Sequence, residues 1–400
     1  MASSTEIIRP PQSEGTLAWL RENLFSNWFN SLLTILSMIL IYLALSATLK
    51  WIFFTADWRP VVQNPLLYLV GQYPREDLWR PGAGLLMVSF LFGLSWRTWG
   101  GVLRVFALAM ALFLLVLILW PLQAGTLTLP IRGFLAVCFA AVFLGFLAGG
   151  LKIRPSFVLL AWVVSLLLAL LLMRGLQGIP RLAVVPTGLW GGLLVTLILA
   201  VGGIALSFPL GVLLALGRRS SLPVVKIFST IFIEVVRGVP LISILFLASI
   251  LLPLFLPQDM RIDRLVRALI GMTFFSAAYM AENVRGGLAA VPPGQEEAAK
   301  ALGLRGYQVT LLIVLPQALR AVIPPIVGQL ISLFKDTTLA SGIAVLELLS
   351  VGRSIIQANP EYITLQTEVL LFIAAIFWIF SYLMSYASLR LESALGVGER

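Results

Sequence analysis

Pro292-Pro293-Gly294-Gln295-Glu296-Glu297-Ala298-Ala299-Lys300-Ala301-Leu302-Gly303 is a compact polar stretch set between two long apolar runs. It reads as a short helix outside the membrane. The prolines stand where a helix has no use for an N–H, Gln295, Glu296 and Glu297 fill the first turn where the dipole favours acids, and Gly303 supplies the stop. One face is predicted to present Ala298, Ala299 and Leu302, small enough for another protein's groove to approach, with Glu297 and Lys300 beside them.

The chain around it is built for a bilayer. Of 400 residues, 60% are hydrophobic and 12% charged, and the mean hydropathy is +0.99; soluble domains carry about a quarter charged residues. The net charge of +10 then reflects cations held at one membrane face rather than a nucleic-acid surface. With no histidine and a single cysteine, Cys138, zinc or haem ligation, histidine acid–base catalysis and intrachain disulfides are excluded. No catalytic residue and no metal ligand is assigned.

Apolar stretches of the roughly 20 residues that a crossing needs occur about ten times. The first five fall at 28–50, 79–96, 103–122, 131–151 and 156–173, the second five at 189–216, 224–256, 265–288, 307–334 and 367–389. Arg9, Glu14, Arg21 and Glu22 precede the first, which reads as a retained anchor. Lys and Arg beside span ends set orientation: Arg97 with Arg104, Lys152 with Arg154, and Arg218, Arg219 with Lys226 place alternate turns and both termini in the cytoplasm. Arg174, Arg181 and the 59–80 segment run against that bias. No Asp or Glu lies between Asp77 and Glu234, so the N-terminal block has nothing with which to bind a solute and reads as packing or anchoring material. Gly145 and Gly149 mark helix packing within it. The Gly- and Pro-rich 174–186 stretch divides the two blocks. The resulting division is 1–26 as a cytoplasmic segment, 27–180 as an accessory membrane region, and 187–392 as the functional membrane domain.

Glu297-Ala298-Ala299, then Gly303, Ile313 and Leu315-Pro316 at the spacing found here, resembles the EAA loop (292–316) of bacterial ABC-importer permeases. Three further blocks resemble the polar amino-acid permeases, nearest the general L-amino-acid type: Glu234-Val-Val-Arg237-Gly238-Val239-Pro240-Leu241, Ala278-Tyr279-Met280-Ala281-Glu282-Asn283-Val284-Arg285-Gly286-Gly287, and Phe334-Lys335-Asp336-Thr337-Thr338-Leu339. The resemblance implies an all-α polytopic membrane protein, a type I importer core of about five spans with about five extra N-terminal ones. It implies a coupling helix, Gln295, Glu296, Glu297, Ala298, Ala299, Lys300, Leu302 and Gly303, that inserts into a cytoplasmic ATPase. The implied partners are an ATP-binding cassette dimer, a second permease subunit of paralogous sequence, an extracytoplasmic solute-binding protein and membrane lipid, at the bacterial inner membrane with the C-terminus cytoplasmic. No Gly-x4-Gly-Lys-Ser/Thr loop occurs, so ATP-Mg belongs to the partner and this chain carries no cofactor.

An amino acid is a zwitterion, and its passage needs compensation for both charges. Glu234 with Arg237 and Glu282 with Arg285 each stand three apart on a helical face, and Gly238 with Pro240 breaks a helix beside them. Tyr279, Glu282, Asn283 and Thr338 are the expected lining, with Lys335 and Asp336 at or bracing the outer mouth. Pro316, Pro324 and Pro325 are expected to kink the span that follows. The same ion pairs serve equally well as structural pairs with snorkelling arginines. An ion-coupled secondary transporter and a non-transporting membrane anchor stand as alternative functions.

Overall fold

The computed structural model describes residues 15–121, 127–151, 153–255, 257 and 262–395. Much of the 1–26 segment, Lys152, and the expected span ends at Leu122 and Leu256 lie outside the described residues. The chain divides into two compact units, Met1–Asp57 and Trp58–Arg400. In the first, α1 (Thr16–Asn23) precedes α2 (Trp28–Lys50), which a π-helical turn at Trp51–Thr55 prolongs. Asn27 starts α2 by accepting the Asn30 N–H at 2.8 Å, the usual N-cap device. No residue of α2 is buried, as suits a helix solvated by hydrocarbon.

The second unit begins with two short helices, α3 (Arg59–Val62) and α4 (Pro65–Val70), then α5 (Trp79–Trp99), α6 (Gly101–Ile118), α7 (Leu129–Ala148) and α8 (Pro155–Arg174). It continues with α9 (Gly192–Arg218), α10 (Pro223–Gly238), α11 (Leu241–Phe246), α12 (Leu252–Leu254), α13 (Arg264–Ala290), α14 (Pro293–Ala301), α15 (Gly306–Gln308), α16 (Leu315–Ala321), α17 (Ile323–Asp336), α18 (Leu348–Ala358) and α19 (Gln366–Leu395). Among the described residues eight helices are long and apolar enough to cross a membrane, and the number rises to ten if each bent pair is one crossing. The all-α, roughly ten-span expectation is met.

Two spans bend beside the prolines expected to break or kink them. The 224–256 stretch turns by 109° between Gly238 and Leu241, and the 307–334 stretch by 61° between Ala321 and Ile323. The causes are local: Pro240 and the Pro324-Pro325 pair lack the N–H that a continuing helix requires.

The parallel pair α9 and α13, in which Gly202 meets Leu269 and Gly211 meets Met280, is the spine of the fold. A β-carbon on Gly211 would stand 2.6 Å from Met280 Cβ, so only glycine lets these backbones approach so closely. The N-terminal spans use the same device more severely. A β-carbon on Gly93 would meet the Val142 carbonyl oxygen at 1.8 Å, and one on Gly145 the Phe90 carbonyl oxygen at 2.0 Å, which joins α5 to α7 in backbone contact; Gly149 likewise abuts Arg97.

This region is joined to the α9–α19 core at one end. Gly71 bridges Trp190, and the Gly191 N–H donates to the Val70 carbonyl at 3.1 Å while that of Gly192 donates to Leu346 at 2.9 Å. Gly71 and Gly192 sit at φ +69° and +63°, conformations that a side chain would strain. Arg80 is 1% exposed; it pairs with Asp77 at 2.9 Å and donates to the Ala183 carbonyl at 2.7 Å. One of the cations that defied the orientation bias is therefore a neutralised structural brace.

Candidate functional site

The polar stretch forms α14 as expected, and Gly303 ends it at φ +80°. Its faces divide differently from the sequence expectation. Ala299 is 4% exposed and packs in an apolar cluster with Ala281, Val284, Val309, Val314 and Ala318. It anchors the helix to its own chain and is not part of the free face, because the helix packs here on the π-helical segment Val309–Val314. Gln295, Glu297, Ala298 and Ala301 are exposed, and Leu302 is 83% exposed. A bulky apolar side chain standing in water beside small neighbours suits a cleft that would cover it. Lys300 bonds Glu296 at 2.8 Å rather than Glu297, and Glu296 also stands 4.0 Å from Arg219. The Lys300 ammonium, and then Arg219, hold the Glu296 carboxyl below the usual carboxylate range.

Next to α14 the C-terminus of α9 meets α10 and α13, and charges gather there. Arg218 lies 2.9 Å from Glu234 and 3.6 Å from Glu282. Glu282 also takes Arg285 at 2.5 Å and Arg237 at 3.6 Å, and the Arg237 guanidinium sits over the Tyr279 ring at 5.5 Å. The expected Glu282–Arg285 pair forms. The expected Glu234–Arg237 pair does not: although three residues apart, Glu234 turns to Arg218 across the helix interface, and Arg237 turns to Tyr279 and Glu282. Three guanidinium groups against two carboxylates leave one positive charge in excess. The side chains of Arg218, Arg237 and Glu282 are only about a quarter to a third exposed, at 28%, 32% and 25%, so their attraction is less screened than that of surface pairs.

The remaining candidates stand elsewhere. Asn283 is half-buried on α13. Lys335 and Asp336 end α17 near the level of Gly203, midway along α9, where Leu333 packs. The Thr338 hydroxyl donates to the Lys335 carbonyl at 2.8 Å. Among the described residues no ion pair or side-chain hydrogen bond joins these four to the charge cluster.

Residues 207–396 match the family described as binding-protein-dependent transport system inner membrane component. The inner membrane amino-acid ABC transporter permease protein YhdY of Escherichia coli is 39% identical over 398 residues, 96% of this chain and 95% of that protein. The chain belongs to the amino-acid ABC transporter permeases. The glutamate/glutamine/aspartate/asparagine transport system permease protein BztC of Rhodobacter capsulatus is 33% identical across 98% of this permease and 97% of its own length. The probable glutamine ABC transporter permease protein GlnP of Bacillus subtilis is 36% identical, but 92% of it covers only 51% of this permease.

Sequence reasoning about the permease missed Arg218 and Arg219 as site residues. They were read only as signals of membrane orientation, yet as neighbours they touch both structures of interest: Arg218 enters the charge cluster and Arg219 reaches α14. Two adjacent cations at the last turn of an apolar helix, followed by an acid-bearing helix, were the available signal.

Proposed function

We propose that this permease is the membrane-spanning half of an ATP-driven amino-acid importer, with α14 as the element that seats in a separate ATP-hydrolysing subunit. The observation that carries the reading is the two-faced character of α14, which Ala299 anchors to the core while Ala298 and Leu302 project from the other side. ATP-Mg would be bound by the ATPase, and closure of an ATPase dimer would pull α14 and, through Arg219 and Arg218, the helices that hold the charge cluster. That cluster is the candidate solute path: Glu234 and Glu282 compensate an ammonium, and the excess of Arg237, Arg285 and Arg218 compensates a carboxylate. Tyr279, Asn283, Lys335, Asp336 and Thr338 complete it as α10 and α17 move about their breaks. An extracytoplasmic binding protein delivers cargo at the opposite end, and the second permease subunit is a paralogue.

The proposed orientation puts α14 in the cytoplasm. α19 begins beside α18 and α3 at the far end, and its 30 residues rise about 45 Å, which supports a cytoplasmic C-terminus.

Ala298→Arg and Glu297→Lys are expected to abolish uptake of radiolabelled amino acid while membrane insertion is retained. Unaltered uptake in both would favour an ion-coupled transporter, and ATP hydrolysis without accumulation in vesicles would favour a mere anchor.

A further inference from the structure

The end of the α5–α8 region away from the Gly71–Trp190 junction gathers cations with no acid to balance them. Arg97 lies near the end of α5, Arg104 in the first turn of α6, and Arg154 immediately before α8. All three are exposed, and among the described residues none forms an ion pair. No Asp or Glu occurs between Asp77 and Glu234. Asp77 stands at the far end of α5, where it holds Arg80 at 2.9 Å, and Glu234 is taken by Arg218.

Packing brings the three to one level. Gly100 alone separates α5 from α6, and the Phe92 and Phe106 rings stack at 6.2 Å across that hairpin. The end of α7 sits against Arg97, since a β-carbon on Gly149 would stand 2.5 Å from Arg97 Cβ. The start of α8 packs on the same part of α5: Val158 is buried with Leu91 and Leu94, and the Trp162 indole donates to the Ser95 hydroxyl at 2.9 Å. The Arg97 guanidinium rests over the Phe146 ring at 5.3 Å, a contact that holds the side chain without neutralising it. Along α7 and α8, toward the middle of the bilayer, the surface next to these cations turns apolar, with Leu144, Leu147, Phe157 and Leu160 exposed.

We propose that the ends of the α5–α6 and α7–α8 hairpins hold the headgroup of an anionic phospholipid between Arg97, Arg104 and Arg154, and that this lipid braces the N-terminal region. The orientation bias accounts for cations on this side of the membrane; it does not account for three that converge with no acid among them. Guanidinium groups bond phosphate oxygens in charge-assisted pairs, and the leucines beside them are placed to meet the acyl chains of the same molecule. A zwitterionic headgroup brings a cation of its own, which unopposed arginines repel, so the charge selects the anionic class. The site shares no residue with α14 or the charge cluster, so it stands apart from the solute path.

The test takes the full-length permease in its purified complex, compares its thermal midpoint in nanodiscs of phosphatidylcholine with that in equal parts phosphatidylcholine and phosphatidylglycerol, and counts by mass spectrometry the phosphatidylglycerol retained through detergent. The wild type is expected to melt higher with phosphatidylglycerol. Arg97→Gln with Arg104→Gln and Arg154→Gln should remove that rise and lower the retained phosphatidylglycerol at least about tenfold, with the midpoint in phosphatidylcholine unchanged. Arg154→Gln alone, which leaves the Arg97–Phe146 contact intact, should lower retention about fivefold. Arg174→Gln with Arg181→Gln, at the opposite end, should change neither reading. A wild type that melts alike in both lipids, or Gln variants that keep the rise and the retained lipid, would overturn the proposal. So would a rise reproduced in phosphatidylcholine by inorganic phosphate or glycerol phosphate, which would assign the arginines to a soluble phosphate.

Discussion

Arg218 carries the strongest residue-scale expectation, because it is the group through which Glu234 and Glu282 are joined across three helices. Arg218→Gln leaves both carboxylates short of a partner, and one of them, Glu282, is three-quarters buried. The loss expected for such a charged hydrogen-bonded contact is about 1.5–3 kcal/mol. Uptake by reconstituted vesicles should fall at least about tenfold, and the double swap Arg218→Glu with Glu234→Arg should recover part of it; no recovery would mean that the pair is incidental. Glu296 gives a pH expectation. Its folded pKa lies below the ordinary carboxylate value, so the Lys300 and Arg219 attraction is present above that ordinary value and is lost only as pH falls through the lowered one. Coupled hydrolysis should therefore be insensitive to this group between about pH 6 and 8, and Glu296→Gln should mimic only the acid limb. At this scale the sequence was partly legible. Helical spacing found Glu282–Arg285, but the same rule misassigned Glu234, since a neighbour three residues away competes poorly with a guanidinium that tertiary packing holds at 2.9 Å.

Elements were read better than pairs. The start and stop of α14 followed from Pro292, Pro293 and Gly303, whose backbone demands are local; which alanine faced inward did not, because that depends on the π-helical segment Val309–Val314 packed against it. The two faces should separate by mutation. Ala298→Arg should leave the thermal midpoint of the detergent-solubilised complex unchanged while ending ATPase coupling. Ala299→Leu should lower that midpoint by overfilling a packed site, at a cost of about 1–3 kcal/mol. Equal behaviour of the two would show that α14 has no free face. The packing of α5 on α7 was foreshadowed by Gly145 and Gly149, though not the deeper contact at Gly93. Gly145→Val should destabilise the N-terminal region by more than a surface substitution does, about 1–3 kcal/mol, read as a lower midpoint or loss of membrane-inserted protein.

In the whole molecule, composition and span length fixed the class of protein, and the breaks at Pro240 and Pro324-Pro325 follow from proline chemistry. The extent to which the N-terminal region is spliced into the core at Gly71, Gly191 and Gly192 was not legible, since isolated glycines do not name the backbone they meet. Deletion of 1–57, a compact unit of its own, should leave the remaining permease inserted and assembled. Deletion of 1–174 removes Tyr68, Arg80 and two helices that pack on α19, α3 and α6, and should abolish assembly with the second subunit, as measured by co-purification. The account as a whole turns on force entering through α14. Cys138 is buried, so a cysteine placed at Ala298 would be the reactive one, and disulfide trapping against a cysteine in the ATPase cleft addresses the contact directly. The account predicts a crosslink to the ATPase and labelling of that cysteine only from the cytoplasmic side. Labelling from the outside, or an intact active transporter in which no crosslink to the ATPase forms, would contradict it.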